Sequence, residues 1–172
     1  RPNRRDSNYF QLITSGKRFY EKGGELILRF IEEHNLYRLF VITDEDLLIQ
    51  HPRIDQSYSL YDNMDFKKSI LEADLALYLS PTQSFFEVAG YGTKCIVASS
   101  ALPKFSGINL ENFYPVDFQC DHQGNVLNSD YNYDLLKEKI QGISEDQKNK
   151  TQTNDVFYEF YANDLLKIYL ND

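Results

Sequence analysis

The sequence has no tryptophan, one methionine, five prolines and only two cysteines in 172 residues. Cys95 and Cys120 show no CxxC spacing, which excludes a disulfide scaffold, a metal knuckle and a redox pair, and Cys95 sits in the apolar run KCIVA. Both read as reduced structural thiols. No apolar stretch approaches the roughly 20 residues that cross a bilayer, and the polar start RPNRRDSNYF lacks the apolar segment of a signal peptide. The expected location is the cytoplasm, with peripheral contact at the inner face of a membrane left open. Positive charge is scarce as well: 18 Lys and Arg stand against 26 Asp and Glu, for a formal net charge of −8. No diffuse positive field exists to hold a nucleic-acid backbone, so a phosphate ligand needs a local site. The Asn149-Lys150-Thr151 sequon reads as chance in a chain with this cysteine usage.

The balance of 42% hydrophobic and 26% charged residues is that of an ordinary globular chain of one-domain size. Arg1 rather than Met at the start suggests one domain of something longer. Tyr9–Thr14 (YFQLIT) reads as a buried strand, stopped by Ser15-Gly16. Leu26, Ile27, Phe30 and Ile31 then recur at helical spacing, with Glu25, Arg29, Glu32 and Glu33 on the other side and Asn35 at the end. Tyr37–Thr43 is a second strand. Leu47–Gln50 is a further short apolar run ended by His51-Pro52, because the residue before proline resists helix. Tyr58–Tyr61 adds a short strand, and a helix from Asp65 carries Phe66, Ile70 and Leu71 on one face. Asp74–Leu79 and Lys94–Ala98 read as strands on either side of a helix over Ser84–Tyr91. Residues from Ser99 to Asp130 carry no clear pattern. Two helices follow, the last with Val156, Phe157, Phe160, Tyr161, Leu165 and Ile168 on one stripe.

Apolar strands too short for helices, alternating with amphipathic segments, predict an α/β fold: a Rossmann-like, mostly parallel sheet with helices on both faces. The expected organisation is a single domain over residues 1–172, with 131–172 as a helical tail. In such a sheet ligands bind beyond the carboxyl ends of the strands, and three segments are expected there. Ser80-Pro81-Thr82-Gln83-Ser84 lies at a strand-to-helix junction, where unpaired N–H groups and hydroxyls form a phosphate cradle; plain N-capping by Thr82 or Ser84 is the alternative. His51-Pro52-Arg53, placed at a strand end, offers an imidazole and a guanidinium fork to a phosphate, against the alternative of a solvated loop histidine. Ser15-Gly16-Lys17-Arg18 joins a glycine to two cations, but without a GxGxxG or Walker pattern a solvated basic turn competes.

These segments together carry a family resemblance. The run Leu71-Glu72-Ala73-Asp74-Leu75-Ala76-Leu77-Tyr78-Leu79, then Thr82-Gln83-Ser84-Phe85-Phe86-Glu87-Val88-Ala89, Gly92 and KCIVA, resembles the donor-binding half of GT-B glycosyltransferases. With His51-Pro52 upstream it is similar to the bacterial HP-motif sialyltransferases, Kdo transferases and CDP-glycerol glycerophosphotransferases of surface polysaccharide synthesis. The resemblance implies one half of a GT-B fold, with the N-terminal acceptor domain absent from this chain. It implies a CMP- or CDP-linked nucleotide-sugar as donor substrate, no separate cofactor and no metal, and a glycan acceptor. His51 would be the catalytic residue, stabilising the leaving phosphate as its bond to the sugar breaks. Thr82 and Ser84 would lie at the phosphate-binding helix start and Glu87 near the ribose. Gln83 and Thr93-Lys94 depart from the family's usual Ser-Ser turn and Lys-Pro pair. No residue stands out as general base: Asp44, Glu45 and Asp46 read as a solvated turn and His122 as surface. The alternatives are a sugar-nucleotide 2-epimerase, which normally carries Ser-Gly-Gly where this chain has Pro81-Thr82-Gln83, and a non-catalytic Rossmann-like binding module. A receiver-like regulator is disfavoured because the first strand ends in Ser15-Gly16-Lys17 rather than in acidic residues.

Overall fold

The computed structural model describes residues 8–58, 63–81, 88, 91–104 and 111–148. The chain falls into two compact units, Arg1–Lys137, which carries the sheet, and Glu138–Asp172. Strands β1 (Phe10–Ser15), β2 (Tyr37–Ile42), β3 (Ile54–Ser57), β4 (Leu75–Tyr78), β5 (Lys94–Ala98) and β6 (Phe113–Val116) form one sheet in the order β3-β2-β1-β4-β5-β6. Every pairing is parallel. Helix α1 (Gly24–Glu33) connects β1 to β2 and α2 (Asn63–Glu72) connects β3 to β4, while α3 runs over 130–148.

Parallel strands are covered on both faces, which is why β4 (LALY) is buried at all four positions and β5 (KCIVA) at all but its first. On one face Ile13, Ile42, Ala76, Tyr78, Cys95 and Val97 pack with Ile70 of α2 and with Val88. On the other, Leu79 lies against Gly23 at the start of α1, whose Leu26, Ile27, Phe30 and Ile31 are buried. The same four residues formed the apolar stripe in the sequence. Gly23 has φ +90°, a left-handed conformation that favours glycine, and among the described residues no side chain caps the first turn of α1. At its far end α1 leaves carbonyls without helical partners, and Arg53 takes them up: its guanidinium donates to the oxygens of Ile31 (2.6 Å), His34 (2.5 Å) and Tyr37 (3.0 Å).

The structure revises the sequence reading in four places. The third strand is Ile54–Ser57, a half-buried edge strand whose apolar signal is weak; of the strand expected over Tyr58–Tyr61, Tyr58 is in no strand and residues 59–61 lie outside the described residues. Leu47–Gln50 forms no strand, and Leu48 is 81% exposed. Leu71 does not join Ile70 in the core but is 48% exposed. The stretch from Ser99 to Asp130 holds a 3-10 turn (Ser99–Lys104) and the sixth strand, β6, which Pro115 had disguised. Of the helix expected over Ser84–Tyr91, Val88 is helical and buried and Tyr91 lies in a turn, while residues 84–87 and 89–90 lie outside the described residues. The amphipathic stripe over 156–168 lies outside the described residues.

Candidate functional site

The strand order reverses between β1 and β4, and at such a switch point the connections leave in opposite directions and open a crevice at the carboxyl edge. Three side-chain bonds tie the β1 and β4 segments together, one at their amino ends and two at the carboxyl ends beneath the crevice. Asp74 accepts from the Gln11 N–H (2.9 Å), Thr14 Oγ1 donates to the Leu77 carbonyl (2.9 Å), and the Ser15 and Tyr78 hydroxyls share a hydrogen bond of 2.7 Å. Ser15, Gly16, Phe19, Lys22, Tyr78 and Ser80 line the crevice above them. Its enclosed part, about 20 Å³, admits little more than one water-sized group.

Gly16 turns the chain out of β1 with φ +141° and donates its N–H to the Ile42 carbonyl at 2.9 Å, which sets the turn beside the end of β2. The bare Cα leaves room for Lys22. A Cβ at position 16 would lie 3.5 Å from the Lys22 Nζ, so the ammonium sits directly over this glycine. Lys22 is half-buried and, among the described residues, forms no ion pair or side-chain hydrogen bond. Burial lowers its pKa and the nearby Arg18 adds to the effect, against Asp44 and Glu45, which oppose it. The loop is braced on its outer side. Tyr20 donates its N–H to Glu45 (3.2 Å) and accepts the Leu48 N–H on its hydroxyl (2.6 Å).

Of the site residues expected from sequence, Ser15, Gly16 and Ser80 meet in this crevice. Lys17 is exposed, and Arg18, a non-glycine residue at φ +59°, is exposed and paired with Glu21. Thr82, Gln83, Ser84 and Glu87 lie outside the described residues. The His51-Pro52-Arg53 segment is elsewhere. Ile54 pairs with Leu39 near the beginning of β2, so His51 precedes β3 and stands at the amino edge of the sheet, across from the crevice. The expectation of a strand-end histidine fails because the apolar run before it is a loop, not a strand. His51 Nδ1 accepts the Arg53 N–H (3.2 Å), and its ring lines an open concavity of about 440 Å³ with Leu47, Pro52, Ile54 and Gln56. Arg53, expected on a phosphate, instead has its Nη1 and Nη2 on the backbone carbonyls that end α1 and begin β2.

Sequence reasoning missed Lys22. The available signal was its place between the Ser15-Gly16 turn and the Gly23-Gly24 helix start, where a side chain reaches back over the turn. The acidic turn reads much as expected: Asp44 is exposed, Glu45 N–H rests on Thr43 Oγ1 (3.3 Å), and Asp46 accepts the Tyr58 hydroxyl (3.1 Å), which raises the Tyr58 pKa. Among the described residues no group of acidic, histidine or cysteine side chains is placed to hold a metal ion, and no helix is long and apolar enough to cross a membrane.

An open parallel sheet wound in both directions from a central crevice, with helices on both faces, defines a Rossmann-like α/β fold. No family model matches the chain, and no curated protein matches it. Among solved structures it is similar to a Listeria monocytogenes protein described as a UDP-N-acetylglucosamine 2-epimerase, with a TM-score of 0.55 and 15% identity over 83% of this chain and 38% of that one. S. aureus MnaA, solved with UDP, matches at a TM-score of 0.48 and 19% identity over 63% of this chain and 32% of its own. The calicheamicin glycosyltransferase CalG4 matches at 0.46 and 9% identity over 82% and 39%. The chain thus spans well under half the length of each.

Proposed function

We propose that this chain is the nucleotide-binding half of a nucleotide-sugar-dependent glycosyltransferase, with the donor phosphates in the crevice between β1 and β4. The observation that carries the reading is the Lys22 ammonium, half-buried over Gly16 and unpaired among the described residues, in an otherwise acidic chain. An anion placed there would meet that charge, the hydroxyls of Ser15 and Ser80, and the N-terminal end of α1, which no side chain among the described residues caps. The narrow floor suits a phosphate oxygen, with the rest of the ligand lying across the crevice mouth. During transfer, negative charge grows on the nucleotide phosphate as its bond to the sugar breaks, and these donors stabilise it. The acceptor, a glycan hydroxyl in this reading, and its general base would come from a second domain or a partner chain. Synthesis of surface polysaccharide next to a membrane belongs to the same proposal.

His51 was the residue that pointed to a cytidine donor, and its place at the amino edge removes that support, so the base is left to experiment. A second reading, a sugar-nucleotide 2-epimerase, is favoured by the fold shared over 83% of this chain with the Listeria protein.

Calorimetry of the chain against CMP, CDP, UDP and UDP-GlcNAc tests the proposal. A nucleoside diphosphate is expected to bind, to weaken about tenfold or more in Lys22→Ala through loss of a charge-assisted contact, and to be unaffected in His51→Ala. Failure of all four nucleotides to bind, or loss of binding in His51→Ala with Lys22→Ala unchanged, refutes it. Conversion of UDP-GlcNAc to its C2 epimer, followed by NMR, would decide for the second reading.

A further inference from the structure

Far from the crevice, one polar atom is buried with nothing to bond to. Nε2 of His34 is shielded from solvent and has no hydrogen-bond partner, the only such side-chain atom among the described residues. His34 closes α1: its N–H bonds the Phe30 carbonyl at 3.0 Å, and its backbone turns extended toward β2. The ring lies 4.5 Å from the Phe30 ring and 6.3 Å from that of Tyr37 in β2, while its carbonyl accepts Nη1 of Arg53.

We infer that His34 makes the C-terminal end of α1 an acid-sensitive latch, which holds α1, β2 and Arg53 together while the imidazole is neutral and loosens when it takes a second proton. A neutral ring leaves Nε2 unsatisfied in either tautomer, and the imidazolium needs acceptors for two N–H groups. None is available at Nε2. The carbonyls that would attract a cation at this helix end are those of Ile31 and His34, and the Arg53 guanidinium already occupies them. The charged groups around the ring oppose a proton on balance. Lys137 of α3 and Arg53 ahead of β3 are positive. Glu33 is the nearby carboxylate, and it is committed to Arg29 (2.9 Å) and to the Tyr133 hydroxyl. Burial first, and Lys137 second, lower the His34 pKa, with Glu33 opposing.

The folded protein therefore binds this proton less readily than the unfolded chain. The latch has its full strength above the ordinary histidine value of 6.5 and loses it as pH falls below. Opening would release the Arg53 fork and with it the turn that carries His51 and the concavity beside it.

Hydrogen exchange of the full chain, read by mass spectrometry at about pH 7.5 and about pH 5.5 and corrected for intrinsic rates, tests this in the range where histidine titrates. Peptides over 30–38 and 50–57 are expected to lose protection at the lower pH while those over β4 and β5 keep it. His34→Phe, which fills the space with a ring that cannot titrate, is expected to abolish the loss. An equal loss in His34→Phe overturns the inference. If that variant does not fold, NMR titration of the wild type decides, with His51→Gln and His122→Gln used for assignment. A His34 ring titrating at or above 6.5 overturns the inference, and one titrating below it sustains it.

Discussion

Replacing Arg53 by alanine separates two roles that the sequence alone could not. The guanidinium donates to three carbonyls, at 2.5, 2.6 and 3.0 Å, which end α1 and begin β2. A hydrogen bond from a charged group contributes about 1.5–3 kcal/mol net, but the three share one side chain and the half-exposed carbonyls regain some water. A loss of about 3 kcal/mol is expected, above the common range for surface substitutions. For a chain of this size each kcal/mol moves the melting midpoint by roughly 2–4 °C, so the midpoint should fall by about 6–12 °C. Arg53→Lys recovers only part, because a single ammonium cannot span the fork. Thermal and urea melts followed by circular dichroism measure the change, and calorimetry with a nucleoside diphosphate measures binding at a temperature where both proteins are folded. A variant that keeps its stability and loses nucleotide would show that the guanidinium serves a ligand, and the structural account of Arg53 would be wrong.

Nucleotide binding is expected to weaken at alkaline pH. Lys22 must be protonated to hold an anion and its pKa lies below the ordinary 10.5, so affinity falls as pH rises through that lowered value, earlier than for a solvated lysine; a flat calorimetric profile up to about pH 10 contradicts this. Gly24→Ala would place a Cβ 2.4 Å from the Phe19 ring, which is buried and lines the crevice, and overpacking of this kind costs about 1–3 kcal/mol. Denaturation and nucleotide titration should both report it, and an unchanged melt would show that Phe19 moves freely. In a native thiol assay Cys120 is expected to react and Cys95 to stay silent until unfolding, since Cys95 is fully buried and burial raises its pKa far above the normal thiol range. Two equivalents under native conditions would count against the packing of β5.

Strands β1, β2, β4 and β5 were legible because a parallel strand buried on both faces is a short continuous apolar run, and Leu75–Tyr78 and Lys94–Ala98 are such runs. The edges were not. Ile54–Ser57 has one neighbour and is only half-buried, while the more apolar Leu47–Gln50 beside it is loop. That exchange moved His51 from one edge of the sheet to the other, since a histidine that precedes a strand and one that follows a strand differ by the strand's full length. Half of the crevice could be read from Ser15-Gly16 and Ser80 at strand ends. Lys22 could not be, because its position depends on how the Gly16 and Gly23 turns fold the loop back. Arg53 looked like a ligand residue because its guanidinium suits a phosphate and a helix terminus equally well.

The pairing of β1 with β4 also bears on when the crevice can form. Each of the three side-chain bonds across it joins residues 63 positions apart, with α1, β2, β3 and α2 in between. Contacts so distant along the chain slow folding, since the closure entropy is lost before the contacts repay it. On a growing polypeptide, β1 can pair with β2 early, but its other edge stays open until Leu75–Tyr78 has emerged. During that interval the edge is a template for wrong pairing, and Lys22 stands over a turn with only one wall.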